Sequence, residues 1–326
     1  MTSTDLTPHQ YTPLPEPVPI TEQDWPEGTV PLVSICCITY NHEKFIEECL
    51  EGFLMQETTF PVEILIHDDA STDRTADIIR EYAARYPQLF RPIYQTENQY
   101  SQGKKPNSDF NFPRVKGKYV AFCEGDDYWS SKNKLKKQVD ILIADAKIKL
   151  CFHRVLVITE NENGKSFKYF PENLTKNFYS CEEVTKVNII PTCSVLTVRD
   201  AISETPDWFY RLPMNDWPRW VIACRDGYAF GVNDVMGVYR IHDGGIWSAR
   251  KKSYRLIGTY DFYCEVEKNG PICAKRSATK AKRELFVKIV QKQDYITKKI
   301  TNHIFFGSLL RLWKKFINKN ILPSDY

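Results

Sequence analysis

Residues 32–38, Leu-Val-Ser-Ile-Cys-Cys-Ile, form a nearly unbroken apolar run that ends at Tyr40–Asn41. A run of that length and purity reads as a strand buried on both faces, as in a parallel sheet, rather than as a half-exposed strand with alternating polarity. The period then changes. Phe45, Ile46, Cys49, Leu50, Phe53 and Leu54 recur at helical spacing, with Asn41 as the expected N-cap. A second strand is expected at Val62–His67, closed by Asp68–Asp69. Ser71 and Thr72 are placed to cap a helix whose apolar face is Ile78, Ile79, Tyr82 and Tyr86, and Pro87 stops it. A third strand at Arg91–Gln95 precedes an irregular polar stretch, residues 96–117. A fourth, Lys118–Cys123, runs into Glu124-Gly125-Asp126-Asp127-Tyr128-Trp129 and a helix carrying Leu135, Val139 and Leu142. Strand–helix–strand alternation at this spacing predicts a right-handed, largely parallel α/β sheet. Ligands of such sheets bind beyond the carboxyl ends of the strands, where both acidic pairs stand.

Beyond residue 150 the pattern predicts strands at Leu150–Thr159, Cys193–Val198 and Val235–Ile241. A helix is expected within Trp208–Arg225, and one or two basic amphipathic helices over Lys280–Lys319. Residues 1–30 carry six prolines without periodicity and read as an extended lead-in. The segment MTSTDLTPHQ lacks a basic-then-apolar pattern, so no secretory signal is expected. No apolar stretch approaches the length of a spanning helix. The ten cysteines include no C-x-x-C pair, and Cys36–Cys37 sit inside the first strand. Buried free thiols in a cytoplasmic protein are expected, rather than a disulfide frame or a zinc site.

The net charge of +3 hides an asymmetry: residues 251–326 hold 17 Lys+Arg against 6 Asp+Glu, and the body is acidic. Within 275–326, Ile304, Phe305, Phe306, Leu309, Leu310, Leu312, Trp313, Phe316 and Ile317 interleave with the basic residues. That mixture suits an anionic bilayer surface at the inner face of a membrane, or a helix packed by its apolar side; the apolar residues are too dense for nucleic-acid binding.

Four clusters carry candidate chemistry. Asp126–Asp127 offers hard oxygen ligands that select Mg²⁺ or Mn²⁺; its bland alternative is an acidic helix-capping turn. Asp68–Asp69 could accept a hydrogen bond from a nucleobase N–H or a ribose hydroxyl, or could simply form a turn. Asp216, in Met214-Asn215-Asp216-Trp217-Pro218, could be a general base with a raised pKa, or a helix cap. Arg240-Ile241-His242 follows a strand; His242 could complete a metal site, with Gly244 and Gly245 freeing the next loop and Trp247 covering the site. Neither G-x-G-x-x-G nor G-x-x-x-x-G-K-[ST] occurs, which argues against dinucleotide redox chemistry and P-loop hydrolysis.

Taken in order, VSICCITYNHEKFIEECLEG, EILIHDDASTDRTADII, GKYVAFCEGDDYW with KLKKQVD, NDWP, and MGVYRIHDGGIWS resemble a family-2 glycosyltransferase of the GT-A fold over about residues 31–250. The resemblance implies a nucleotide-binding half at 31–130, an acceptor-binding half at 131–250, and a basic helical extension at 251–326. It implies that Thr39, Tyr40 and Asn41 form the first nucleotide-contacting turn, and that Asp69, with Asp68 beside it, reads the base. Asp126 would face the donor ribose, Asp127 a divalent metal, Mn²⁺ or Mg²⁺, and His242 the metal or diphosphate, with Arg240 nearby. Asp216 would be the general base of an inverting single displacement. The donor would be a UDP-sugar first and a dTDP-sugar second; the acceptor would be a glycan or a lipid-linked acceptor in surface polysaccharide or glycoconjugate synthesis. Three departures stand out: Glu124 where Asp is frequent, Asn215 where an acidic residue commonly precedes the base, and Gln99–Asn111 in place of a Gly-rich stretch followed by Arg-Asn. Lys104 or Lys105 would then substitute as the diphosphate contact. Two other readings compete: a nucleotidyltransferase of the same fold, and a catalytically silent module that docks at the membrane.

Overall fold

The computed structural model describes residues 11–161, 164–245 and 250–301. Trp247 and the apolar residues from Ile304 to Ile317 lie outside them. The chain divides into two compact units, Met1–Thr279 and Lys280–Tyr326.

In chain order the elements are β1 (Val18–Pro19), β2 (Val33–Thr39), α1 (Ile46–Leu54), β3 (Glu57–Thr58), β4 (Val62–Asp68), α2 (Thr75–Arg85), β5 (Phe90–Tyr94), β6 (Tyr119–Glu124), β7 (Tyr128–Trp129) and α3 (Lys134–Ala144). There follow β8 (Ile148–Asn161), β9 (Gly164–Phe170), β10 (Phe178–Ser180), α4 (Cys181–Lys186), β11 (Leu196–Val198), α5 (Asp207–Tyr210), α6 (Asp216–Ala223), β12 (Tyr228–Ile241), α7 (Lys252–Asn269) and α8 (Ile272–Thr301). The boundary between the units falls inside α8. In the second unit the described residues are helical. No described helix is long and apolar enough to cross a membrane.

The large sheet runs β10-β12-β8-β11-β6-β2-β4-β5, with β7 beside β12 and β9 beside β8. Strand β2 is parallel to both β4 and β6, and β4 is parallel to β5. Val33, Ile35, Cys36 and Cys37 are completely buried between layers, which accounts for the unbroken apolar run. Past β6 the sheet becomes mixed: β11 is antiparallel to both β6 and β8, and β8 is parallel to β12. The result is the expected α/β architecture, parallel across its first four strands.

Helices close the faces. Ile46, Cys49, Leu50 and Phe53 of α1 are fully buried, as is Ile79 of α2, and Leu135 and Val139 of α3 join them. Each such side chain contributes roughly 1.5–3 kcal/mol on leaving water. The lead-in is anchored too: Ile20 is buried, β1 pairs with β3, and Gln23 Nε2 donates to the carbonyls of Val18 and Thr58.

Three local expectations are corrected. Asn41 does not cap α1; it takes a left-handed φ of 55°, and its side-chain oxygen accepts from Thr72 N at 2.7 Å, so it ties two loops together. Ser71 and Thr72 do not cap α2; Asp73 accepts from both the N–H and the hydroxyl of Thr75 at its start. The ten thiols are not all free: Cys181 at the head of α4 and Cys273 in α8 form a disulfide, while eight cysteines remain reduced.

Candidate active site

The carboxyl ends of β2, β4 and β6 lie side by side and open into a cleft of about 470 Å³. Thr39, Tyr40, Asp69, Asp126, Asp216 and Arg240 are among its lining residues. The sheet thus gathers these six of the expected residues at one cleft, although they are spread over two hundred positions of chain.

At the end of β4 both carboxylates are held by the protein. Asp68 is buried; its oxygens accept from the Ser71 hydroxyl at 2.5 Å and the Ser71 N–H at 3.2 Å. Burial pushes its pKa up, against those two hydrogen bonds. Asp69 reaches the cleft wall, and its two oxygens accept from Gln99 N at 2.8 Å and Tyr100 N at 3.0 Å. It therefore pins the loop that replaces the Gly-rich stretch and sets Tyr100 at the cleft. Asn41 stays out of the cleft lining; its part is the tie to Thr72.

At the end of β6 the charges are not so settled. Oxygens of Glu124, Asp126 and Asp127 lie within 4.8 Å of one another. Asp127 is 1% exposed, and one oxygen accepts from Arg240 N at 2.8 Å. The other is buried without a nitrogen or oxygen partner among the described residues. Burial, then Asp126 and Glu124, drive Asp127 far above the ordinary carboxylate range; burial and its acidic neighbours lift Glu124 to about 8. Asp126 alone of the three is held low: burial raises it, but the His242 hydrogen bond and the charges of both histidines prevail. Its Oδ2 lies 3.1 Å from His242 Nε2 and 3.7 Å from His42 Nε2. Gly125 is required between the acids, because a Cβ there would stand 2.7 Å from Thr39 Oγ1 and 3.0 Å from His42 Nδ1.

Three crowded carboxylates, one with a buried oxygen that no nitrogen or oxygen meets among the described residues, beside an imidazole make a donor set that suits a hard divalent cation. The structure brings Asp126 and His242 to direct contact and sets Asp127 behind them, buried.

The basic candidates are placed differently. Arg240 lines the cleft, but its guanidinium donates to the Asp126 carbonyl at 2.7 Å, pairs with Glu48, and lies over the rings of Tyr128 and Phe45 at 4.5 and 5.2 Å. Lys105 is buried and donates to the Leu212 carbonyl at 2.7 Å, away from the cleft lining, and Lys104 is exposed outside it.

Asp216 begins α6 in the wall of the same cleft. Burial raises its pKa, against the Trp217 N–H and Asn188, whose Nδ2 donates to Asp216 Oδ2 at 3.2 Å. The carboxylate is the first helical residue rather than the cap, which is Asn215. Asn215 Oδ1 is buried in the same wall without a hydrogen-bond partner among the described residues. Sequence reasoning passed over His42, Tyr100 and Asn188. For His42 a signal existed, since it directly follows Asn41 in the first turn; Asn188 comes from a loop that no motif marks.

The profile described as "Glycosyl transferase family 2" matches residues 34–202, just over half of the chain. An uncharacterised protein of Mycobacterium tuberculosis is 41% identical over 234 residues, which cover 69% of this chain and 64% of that protein. The chain therefore spans under two thirds of the length of the mycobacterial relatives it matches. In structure, residues 1–349 of S. aureus TarS in complex with UDP-GlcNAc align with a TM-score of 0.57 at 17% identity, covering 78% of this chain and 71% of that one. The mannosyltransferase PcManGT from Pyrobaculum calidifontis, in complex with GDP-Man and Mn²⁺, aligns at 0.55 and 16% identity, covering 96% and 84%. The fold is shared with both, and the match over 34–202 extends from β2 through the acidic cluster at the end of β6 to the end of β11, so that this chain belongs to glycosyl transferase family 2.

Proposed function

We propose that this protein is an inverting glycosyltransferase that moves a sugar from a nucleotide-sugar donor to a hydroxyl of a glycan or lipid-linked acceptor. The observation that carries the reading is that Asp216, with its raised pKa, lines the same cleft as Glu124 and Asp126 of the crowded carboxylates at the end of β6. Thr39, Tyr40 and Asp69, with Tyr100, form the nucleotide side, and Asn41 and Asp68 brace it. A UDP-sugar is the first candidate donor and a dTDP-sugar the second, because both bases offer a ring N–H to a carboxylate; the UDP-GlcNAc bound by TarS supports the first.

Asp126, Asp127 and His242 would hold the divalent ion, Mn²⁺ or Mg²⁺, with Glu124 adding negative charge behind them; PcManGT with Mn²⁺ supports this. Such an ion supplies Lewis-acid neutralisation of the departing diphosphate. Asp216 accepts the proton of the acceptor hydroxyl as that oxygen bonds to the anomeric carbon and the bond from that carbon to the phosphate oxygen breaks. One displacement inverts the anomeric centre. Asn188 keeps the Asp216 carboxylate aimed. The basic tail, with 13 Lys+Arg against 3 Asp+Glu over 275–326, would bring the enzyme to an anionic membrane where lipid-linked acceptors in surface polysaccharide or glycoconjugate synthesis reside.

A donor screen tests the reading. Nucleoside diphosphate released from one nucleotide sugar, with Mn²⁺ and not with EDTA, is the expected result. Pyrophosphate as the product, or nucleotide binding with no turnover of UDP-, dTDP- or GDP-sugars, would overturn it. Co-sedimentation of the full chain with anionic but not zwitterionic vesicles tests the tail.

A further inference from the structure

The polar stretch that stands in place of a Gly-rich one is held at both ends, and the two holds lie on different parts of the site. At its start Asp69 accepts from Gln99 N and Tyr100 N, at 2.8 and 3.0 Å. Farther on, residues 105–112 grip the chain on either side of Asp216. Lys105 Nζ donates to the carbonyl of Leu212, ahead of Asp216, at 2.7 Å. Asp109 joins the same two segments: one oxygen accepts from Lys105 N at 2.7 Å and the other from the Tyr210 hydroxyl at 2.8 Å. Beyond Asp216, in α6, Arg219 Nη2 donates to Ser108 Oγ at 2.6 Å, and its guanidinium lies over the rings of Phe112 and Phe209 at 4.4 and 4.6 Å. Pro106 beside the lysine lines the cleft, as do Pro213, Met214, Asn215 and Asp216.

Lys105 is only 7% exposed. An apolar side chain of similar length would avoid the cost of burying an ammonium, so packing alone does not select a lysine here. What the lysine adds is a directed hydrogen bond to a carbonyl whose successor, Pro213, has no N–H with which to fix the turn. We propose that Lys105 is a positioning residue for the general base: with Asp109 it clamps the approach to α6, and so sets where the Asp216 carboxylate stands relative to the nucleotide side that Asp69 organises. The inference rests on the reading of Asp216 as general base and goes beyond it, because it gives a role to a side chain that touches neither substrate nor metal. Lys105 therefore acts on the chemical step through Asp216, and leaves the affinity for nucleotide and metal largely alone.

The test follows nucleoside diphosphate release by the full chain, with Mn²⁺, from the donor that turns over among UDP-, dTDP- and GDP-sugars, while calorimetry measures binding of the matching nucleoside diphosphate. Lys105→Met, which keeps the length and removes the donor, should lower kcat by about ten-fold or more and change nucleoside diphosphate affinity by less than about two-fold. In an Asp216→Asn background the same substitution should add almost nothing, because the group it positions is already gone. Wild-type kcat in Lys105→Met would overturn the proposal. So would a full loss repeated on top of Asp216→Asn, or a loss of nucleotide affinity as large as the loss of kcat, since either marks a general effect on the fold. Should Lys105→Met fail to fold, Tyr210→Phe decides, because it removes only an exposed grip on Asp109. A fall in kcat that vanishes in the Asp216→Asn background is then expected, and an unchanged kcat overturns the proposal. If Asp216→Asn itself turns over at the wild-type rate, the general-base reading falls and this inference with it; if Asp216→Asn is slow and Lys105→Met is not, this inference alone is lost.

Discussion

Two acidic pairs, Asp68–Asp69 and Asp126–Asp127, stand at the carboxyl ends of β4 and β6, on either side of β2 in one sheet. In sequence they are the same signal. In the fold, every oxygen of the first pair accepts an N–H or O–H from Ser71, Gln99 or Tyr100, and the pair is a finished piece of loop architecture. The second pair is crowded by Glu124, leaves one buried oxygen of Asp127 without a nitrogen or oxygen partner among the described residues, and depends on histidines for what neutralisation it has. The lesson is electrostatic: a carboxylate satisfied by backbone N–H groups organises its surroundings, whereas carboxylates that repel one another in a buried place need a cation.

The sharpest way to break this contrast is to remove one acid from each pair. Asp126→Ala should abolish Mn²⁺-dependent release of nucleoside diphosphate, a loss of at least about 10²–10³-fold in kcat. Asp69→Ala should mainly raise donor KM, by roughly one order of magnitude, the size of a lost charge-assisted hydrogen bond. Equal losses of kcat in both would erase the distinction. Next in size, Asp216→Asn should lower kcat by about 10²–10⁴-fold while calorimetry shows unaltered Mn²⁺ and UDP binding, because the proposed mechanism gives it the acceptor proton and no part in holding the donor.

The pH dependence sharpens the contrast in the absence of metal. The folded-state pKa of Glu124 is raised from 4.5 to about 8, so the folded state binds more protons than the unfolded one across that interval. Stability in EDTA should therefore be greatest below about 4.5 as far as this group is concerned, and fall as pH rises to about 8. Glu124→Gln should flatten that slope in thermal melts, and a slope unchanged by the substitution would refute the assignment. The smallest effect concerns the settled pair: Ser71→Ala removes the hydroxyl that donates to Asp68 and accepts from Asn41 N. It should cost about 1–3 kcal/mol in urea unfolding, with no change in Mn²⁺ affinity.

Much of the parallel half was legible because buried strands leave a pure apolar record. Val33–Thr39, Val62–Asp68 and Tyr119–Glu124 fall within a residue or so of where the runs LVSICCI, Val62–His67 and Lys118–Cys123 place them. Caps were misread, since Asn41, Ser71 and Thr72 have cap chemistry but bond across loops about thirty residues apart. The sequence pattern marks the long β12 only from Val235 onward, because Tyr228–Asp234 keeps no regular alternation: Gly231 and Val232 are both buried, Asn233 and Asp234 are both exposed, and the register against β8 shifts there. Lys105 could be named as a cation but not as one committed to the Leu212 carbonyl, a contact 107 residues away.

By itself, the sequence determined the α/β layer order, the position of each acidic pair at a strand end, and the ordered motifs that mark the family, because these depend on local period and on chemistry within a few residues. Only the tertiary structure decided which acid of each pair faces the cleft, that Arg240 is locked between Tyr128, Phe45 and Glu48, that Cys181 meets Cys273, and that His42 and His242 converge on Asp126. Those outcomes turn on a few ångströms between residues up to 200 positions apart, a distance that no spacing along the chain encodes.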